Sequence, residues 1–482
     1  MSKNFSIRKK TIVYTGLSLL IVGLLLVSYF LWPKGEHFVA DTAVEAHPVP
    51  TEVDDAVWQW QVSEGDKGVD VLSGPFGPLA VLEDGVVALD GTSGEEVWGY
   101  RVEESEDADS VSVGLTPDEE RVLVVRTEHS GMEASVETVV VDSRTGDVVE
   151  RYSYDIPVEV MEEIDVSEAI PDARNVSDHT WISPTENGFA ARDITSGEVA
   201  WQFEPDAGCS MVAAAGSANF HGAGVGVTSD TYLVPLLCGE EASPDDGGDA
   251  TAPGVLLALD AATGEEKWEE DQEVLLTMSR HSGSRDFVLD FSSSVDQESF
   301  FARTEEGRTV FDLESGEVIY EDITDFYPEG GSLEYLFHLS EGVIGTSVDT
   351  DREARPLRLR MADLPGGETI DEIEVPGNYD VQGRPSYFSL RPADLGDDTV
   401  ALDEGLVIAV CDGDCPTSGE NSEREILALF VPWGEGEEES IIELPGFKSS
   451  GYKNMFVPVP GAVVAYQLTA GSEVYDELVG LG

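Results

Sequence analysis

Short runs of apolar residues along this chain end repeatedly in an aspartate, a small polar pair and a glycine, after which apolar positions resume. The clearest copy lies at residues 255–268, where an apolar run leads into Asp260 and Trp268 follows the turn. The side-chain oxygens of Asp260 and Thr263 can bond turn backbone, and Gly264 supplies the positive φ that a tight turn needs. The pattern predicts two antiparallel strands joined by a hairpin turn.

The same turn pattern returns along most of the chain, and a repeat is more informative than any single copy. Three copies keep the tryptophan: Asp90 and Gly94 with Trp98, Asp193 and Gly197 with Trp201, and Asp260 and Gly264 with Trp268. Two further copies lack it: Asp142 and Gly146 with Glu150 at the tryptophan position, and Asp312 and Gly316 with Tyr320. Frayed copies occur at residues 361–367 and 427–442. The turn aspartates lie about 51 residues apart, except for one longer step between Asp193 and Asp260 that holds an insertion.

The pattern A-x-D-x-x-[TS]-G-x-x-x-W resembles the tryptophan-docking repeat of the pyrroloquinoline-quinone (PQQ)-like β-propellers. That family includes quinoprotein dehydrogenases and the propeller lipoprotein of the outer-membrane assembly machine, and the resemblance covers residues 57–482. It implies that Trp98, Trp201, Trp268 and Tyr320 pack between neighbouring blades. It also implies that the tryptophan indole N–H groups bond backbone of the next blade. Each blade is one four-stranded sheet that must bury both faces against its neighbours.

The predicted fold is therefore all-β, an eight-bladed PQQ-like β-propeller, with seven blades as the alternative because the last two repeats are weak. The strand at residues 57–62 has no partner nearby in sequence, and its alternation places Trp58 and Trp60 on one side. We expect it to be the outermost strand of the last blade. The other strands of that blade would come from residues 456–466 and 472–479.

A run of 22 residues without charge, 11–32, follows the basic residues Lys3, Arg8, Lys9 and Lys10. As a helix it would be about 33 Å long, enough to cross the hydrocarbon core of a bilayer. Basic residues before the run and acidic residues after it place the N-terminus in the cytoplasm. A cleaved signal peptide is the alternative, but its apolar region is usually shorter and no A-x-A site follows closely. The expected domains are a cytoplasmic basic segment 1–10, a transmembrane signal anchor 11–32, an extracytoplasmic, solvated linker 33–56 and a propeller 57–482.

The net charge limits the classes of partner that this protein is expected to bind. Of the 482 residues, 96 are acidic and 27 are Lys or Arg, so that the formal net charge is −69. Such a charge opposes nonspecific binding to nucleic acid, which depends on basic side chains that neutralise phosphates. Acidic loops at 103–109, 157–175, 238–253 and 411–423 could attract Ca²⁺, but none has the alternating ligands of a dedicated calcium loop. A solvated acidic surface is the simpler interpretation, and no other cofactor is expected.

The four cysteines lie in the region predicted to be outside the membrane, where oxidising conditions favour disulfides. Four cysteines allow three pairings, and we favour Cys209 with Cys238 and Cys411 with Cys415. A metal site is the alternative. The spacing of Cys411 and Cys415, without a histidine close in sequence, makes it weak.

The sequence motifs typical of catalytic sites are missing or incomplete. The histidines are scattered, and the sequence has no H-E-x-x-H, no G-x-S-x-G elbow and no glycine-rich phosphate loop. The resemblance raises one enzymatic hypothesis, a PQQ- and Ca²⁺-dependent dehydrogenase. The adjacent cysteine pair that often stacks on the quinone in that subfamily is missing here, and none of its ligands matches a position.

We therefore expect a membrane-tethered, protein-binding scaffold without catalysis. Its partner would be another membrane or extracytoplasmic protein, which is an expectation from fold-level analogy. A third hypothesis is a sensor that binds a small molecule or an ion in the propeller channel.

Overall fold

The structure is a computed structural model. It describes residues 35–39, 44–63, 66–102, 108–130, 133–156, 173, 175–185, 188–207, 209–211, 226–238, 250–278, 299–304, 307–312, 315–320, 332–339, 342–348, 358–364, 369–374, 379–381, 399–412, 424–433, 439–449, 452–469 and 474–482. Every regular element within these ranges is a β-strand, so the all-β prediction is confirmed. The predicted transmembrane run and most of the acidic loops lie outside these ranges. Inside them, no helix is long and apolar enough to span a membrane.

The strands are, in chain order, β1 (Gly35–Val39), β2 (Ala56–Gln61), β3 (Gly68–Gly74), β4 (Gly77–Leu82), β5 (Gly85–Leu89), β6 (Glu96–Val102), β7 (Ala108–Leu115), β8 (Arg121–Ser130), β9 (Glu133–Asp142), β10 (Val148–Ile156), β11 (Thr180–Pro184), β12 (Phe189–Asp193), β13 (Val199–Phe203), β14 (Cys209–Met211), β15 (Gly226–Val227), β16 (Thr231–Cys238), β17 (Ala250–Asp260), β18 (Glu266–Met278), β19 (Ser299–Thr304), β20 (Gly307–Asp312), β21 (Val318–Tyr320), β22 (Ser332–Leu339), β23 (Gly342–Val348), β24 (Arg358–Leu364), β25 (Thr369–Glu374), β26 (Tyr379–Val381), β27 (Thr399–Leu402), β28 (Gly405–Asp412), β29 (Glu425–Pro432), β30 (Ser440–Lys448), β31 (Tyr452–Val459), β32 (Ala462–Thr469) and β33 (Glu477–Leu481).

These strands form antiparallel sheets, and most strands pair with their neighbours in the chain. The strand orders are β1-β6-β5-β4-β3, β10-β9-β8-β7, β11-β12-β13, β14-β16-β17-β18-β19-β20-β21 with β15 on β16, β22-β23-β24-β25, β26-β28-β29-β30 with β27 on β28, and β2-β33-β32-β31. The strands at one edge of successive sheets contact one another, in the order β22, β27, β31, β3 and β7. Sheets that stand side by side around their innermost strands are consistent with a β-propeller.

Among the described residues the core lies between neighbouring sheets, and the first sheet is covered on both faces. On β5, Val86 and Ala88 pack against the second sheet, whereas Val87 and Leu89 pack against the sheet that contains β31–β33. Alternate side chains of one strand therefore enter two different cores. This explains why β4 and β5 are buried along their whole length rather than at every second residue.

The sheet β2-β33-β32-β31 joins the two ends of the described chain. Trp58 on β2 lies opposite Gly480 on β33, and the pairing continues to Gln61 opposite Glu477. The expectation that the strand near residue 57 completes a sheet made by the end of the chain is confirmed. The first and last described segments of the chain therefore meet in one sheet.

The predicted solvated linker, residues 33–56, differs from what the structure shows. Gly35–Val39 form β1, which pairs antiparallel with β6 and extends the first sheet. Farther along, the Pro48 carbonyl accepts a hydrogen bond from Gly461 N at 2.9 Å. Val53 is 1% exposed in the core between the last two sheets. β1 pairs backbone groups on the outer edge of β6, a long-range contact that hydrophobic periodicity does not reveal.

The closing sheet has no room for a side chain at Gly480, since a Cβ there would overlap the Trp58 ring. We expect Gly480→Ala to lower the free energy of unfolding by about 1–3 kcal/mol through overpacking. Gly482→Ala is the matched control, because its Cβ would lie 3.3 Å from Val57. Denaturant unfolding of both variants checks this, and equal stabilities would contradict the closing contact.

Candidate functional site

The repeated turn is held by its aspartate. In the first copy, Asp90 Oδ1 accepts hydrogen bonds from the backbone N–H groups of Thr92 and Ser93, both at 2.9 Å, and from their hydroxyls at 2.7 and 3.0 Å. Gly94 N donates to the Asp90 carbonyl at 2.8 Å. Gly94 has a φ of 69°, the left-handed region that glycine adopts without strain. One carboxylate oxygen thus fixes the whole turn.

The other predicted turns repeat this geometry. Their carboxylates accept hydrogen bonds from the second and third residues after the aspartate, and their glycines have φ between 69° and 73°: Asp142 with Gly146, Asp193 with Gly197, Asp260 with Gly264, and Asp312, whose bonds come from Ser315, with Gly316. Burial alone would raise the pKa of three of these carboxyls, but the hydrogen bonds outweigh it and lower the pKa of Asp90, Asp193 and Asp260.

Each turn receives an aromatic side chain from a strand earlier in the chain. The Trp98 indole N–H donates to the Ser143 carbonyl at 2.8 Å, and its ring lies against Gly146. The Trp201 N–H donates to the Ala261 carbonyl at 3.0 Å, and the Trp268 ring lies against Gly316. A Cβ at any of these glycines would come within 2.6 Å of the ring, so the turn needs glycine both for its φ and for this contact.

Trp58 takes part in the same docking, a role that the sequence analysis missed. Its N–H donates to the Gly91 carbonyl at 2.6 Å, and its ring lies against Gly94. The other docking tryptophans follow a turn of their own hairpin. Trp58 has no such turn, because β2 and its partner β33 belong to opposite ends of the chain. The sequence indicated this role only weakly, through an aromatic residue on a strand that precedes the first repeated turn.

Tyr152 fills the position where the sequence pattern placed Glu150. Glu150 is exposed, and the Tyr152 ring lies against the turn glycine Gly197. Glu150 lies opposite Val140, the same register position that Trp98 takes opposite Ala88. The docking ring therefore comes from two residues farther along β10, on the same face of the strand. Burial raises the pKa of the Tyr152 hydroxyl to about 12. Tyr320, the other predicted substitute, ends β21 opposite Val310, and its docking stays a prediction.

The predicted disulfide cysteines are placed in part. Cys209 and Cys411 are each disulfide-bonded, and no free cysteine occurs in the described part of the chain. Cys209 on β14 lies directly opposite Cys238 on β16, which agrees with the favoured pair. Cys415 lies outside the described residues, so the pairing itself stays a prediction.

Arginines hold part of the acidic surface in place. Arg101 on β6 bonds Asp66 at 2.8 Å and also Asp84. Arg151 on β10 bonds Glu137 at 3.1 Å and donates to the Tyr100 hydroxyl at 2.7 Å, which ties the second sheet to the first. Among the described residues, no group of three or more His, Cys, Asp or Glu side chains is arranged to hold a metal ion. Whether the acidic loops bind Ca²⁺ stays a prediction, because most of their residues are not described.

The Tyr152 docking predicts a contrast between two residues of one strand. We expect Tyr152→Ala to destabilise the protein by roughly 3 kcal/mol, because it empties an inter-sheet contact. Glu150→Ala is the matched control and should change stability by no more than about 0.5 kcal/mol. Thermal unfolding of both variants measures the difference. A larger loss of stability for Glu150→Ala would mean that Glu150 holds the docking position, as the sequence pattern predicted.

The lowered pKa values of Asp90, Asp193 and Asp260 predict a loss of stability in acid. A carboxyl with a lower pKa in the folded chain stabilises it above the unfolded pKa, near 4, and loses this contribution as pH falls through the folded pKa. We expect the triple variant Asp90→Asn, Asp193→Asn, Asp260→Asn to lose less unfolding free energy than the wild type between about pH 5 and about pH 3. An equal loss of unfolding free energy in the two proteins over this pH range would refute this linkage.

Several solved structures match this chain at low identity and with low TM-scores. An oligogalacturonate lyase from Vibrio parahaemolyticus is 11% identical over 86% of this chain and 98% of its own, with a TM-score of 0.37. A europium-containing methanol dehydrogenase is 12% identical over 79% of this chain and 80% of its own, with a TM-score of 0.31. The Dos1 propeller is 12% identical over 94% and 97%, with a TM-score of 0.34. None of these likenesses is close enough to indicate an activity, and no curated protein matches the sequence.

A family model gives a clearer result. The PQQ-repeat model described as outer membrane protein assembly factor BamB matches residues 51–322, more than half of the 482 residues. The matched stretch contains all five of the well-formed turns and the aromatic side chains that dock on them. The chain therefore belongs to the PQQ-repeat family described as outer membrane protein assembly factor BamB.

Proposed function

We propose that this protein is a membrane-tethered, extracytoplasmic β-propeller that acts as a protein-binding scaffold without catalysis. The observation that carries the proposal is the family match, because the matching model is described as an assembly factor. A factor that assembles other proteins works by holding them. A ring of sheets offers a broad, rigid surface for such contacts.

The proposed ring has eight blades. Six of the sheets each count as one blade. The sheet that runs from β14 to β21 counts as two, because its halves meet only through the single pair Val274 and Thr304. The contacts among β22, β27, β31, β3 and β7 support the placing of these strands around one axis. Docking of Trp58 from the last blade onto the Gly91–Gly94 turn of the first would close the ring.

The tether and the compartment are inferred from the N-terminal sequence and the cysteines. The uncharged run 11–32 is long enough to span a bilayer as a helix, and the basic residues before it favour a cytoplasmic N-terminus. The disulfide-bonded state of Cys209 and Cys411 suits an oxidising, extracytoplasmic compartment. A tethered ring has a raised effective concentration for partners in the same membrane.

The test compares the full-length membrane protein with a form in which residues 11–32 are replaced by a cleavable secretion signal. We expect a membrane or extracytoplasmic protein to co-purify with the full-length form. The released form should fold but lose its biological effect in a deletion strain. Full complementation by the released form would overturn the tethered role.

A second measurement separates a scaffold from an enzyme. The purified ectodomain is supplied with PQQ and Ca²⁺ and assayed for dye-linked dehydrogenase activity and for retained quinone. Catalysis needs a preorganised cofactor site with positioned ligands. We expect neither turnover nor retention, and substrate turnover would sink the scaffold proposal in favour of a quinoprotein dehydrogenase.

A further inference from the structure

The first sheet carries one strand more than a four-stranded repeat requires. Strands β3 to β6 already make a full antiparallel sheet, equivalent to β7–β10 and β22–β25. Strand β1 adds to the outer edge of β6 in an unbroken register, from Gly35 opposite Val102 to Val39 opposite Trp98. The outer edge of β6 therefore accepts an extra strand.

This extra strand changes the burial of the sheet edge. Val97 and Val149 each stand three residues after a turn glycine, on the outermost repeat strands of the first and second sheets. Val97 is 6% exposed and lies in a core cluster with Val44, whereas Val149 is 44% exposed. Val44, which follows β1 in the chain, packs against the cluster that contains Val97, whereas no described strand pairs with the outer edge of β10.

The edge of β6 also has a shaped position for one side chain. The Phe38 ring occupies the space above Gly99, where a Cβ would overlap it. Beside it, His37 Nε2 donates to the Gly146 carbonyl at 2.6 Å, which reaches the docking turn of the second sheet. An aromatic residue over Gly99 and a donor toward Gly146 together distinguish this edge from a plain strand edge.

We propose that the outer edge of β6 is a strand-acceptor site for an extended peptide segment with an aromatic residue over Gly99, and that residues 35–39 are its occupant in the resting chain. The proposal, which rests on the scaffold function above, names the surface through which a partner protein is held. Main-chain hydrogen bonds supply affinity in such strand addition, and pockets for alternate side chains supply selectivity.

The occupant can be exchanged without dismantling the sheet. Among the described residues of the segment, five pair with β6, and Phe38 and Val39 remain 39% and 46% exposed. A partner segment with basic flanks is favoured, because the chain has a net charge of −69 and attracts positive charge.

The test uses the full-length chain in detergent with residues 35–39 replaced by a Gly-Ser stretch of equal length, so that Val44 and the tether are kept. The probe is a fluorescent peptide of residues 34–41. We expect saturable binding to this variant and binding at least about tenfold weaker to the intact protein, whose site is filled. The same peptide with Phe38→Ala, and the Gly-Ser variant with Gly99→Val, should each weaken binding at least about tenfold.

Amide hydrogen exchange locates the binding. Residues 98–102 should exchange faster in the Gly-Ser variant than in the intact protein and regain protection when the peptide is added. Melting temperatures of the variants show whether each one is folded. Absence of peptide binding to a folded Gly-Ser variant, or equal binding of the Phe38→Ala peptide, would overturn the proposal. Failure of peptide binding would not bear on whether a partner co-purifies with the full-length protein. Failure of co-purification would likewise not bear on whether the peptide binds β6.

Discussion

The structure depends on the contact between an aromatic ring and a turn glycine farther along the chain. Trp58, Trp98, Trp201 and Trp268 each lie against a turn glycine whose φ lies near 70° and whose missing Cβ makes room for the ring. For the first three, the indole N–H also satisfies a turn carbonyl. A buried carbonyl left without a donor would cost about 1–3 kcal/mol, so the contact selects one relative position of the two sheets.

Much of the remaining architecture follows from this docking. A sheet that packs against a neighbour on both faces meets solvent only at its edges and loops. Inner strands such as β4 and β5 are therefore buried along their whole length. Among the described residues no Asp or Glu is buried, so the acidic side chains lie outside the cores. There the turn aspartates are used as hydrogen-bond acceptors, and arginines such as Arg101 and Arg151 offset part of the remaining charge.

The proposed scaffold function uses parts of the sheets that do not take part in the aromatic docking. The residues that define the repeat are occupied in holding sheets together, whereas sheet edges and loops face outward. The edge of β6 differs from that of β10 because the chain's own N-terminal segment covers it. A strand acceptor at that edge gives a scaffold a way to hold an extended segment of another protein without disturbing the inter-sheet contacts.

The sequence by itself determined the β class, the repeat and its turns, because an aspartate, a hydroxyl and a glycine at fixed spacing close a turn through local hydrogen bonds. Pairing between the chain ends was also predictable, since the strand at residues 56–61 had no local partner. Only the tertiary structure decided three things: that Trp58 docks across the closure, that Tyr152 replaces Glu150, and that residues 35–39 add a strand to β6. Each depends on a contact between residues far apart in the chain. Such contacts leave no periodic pattern in the sequence, because they form only when distant segments are brought together by the fold.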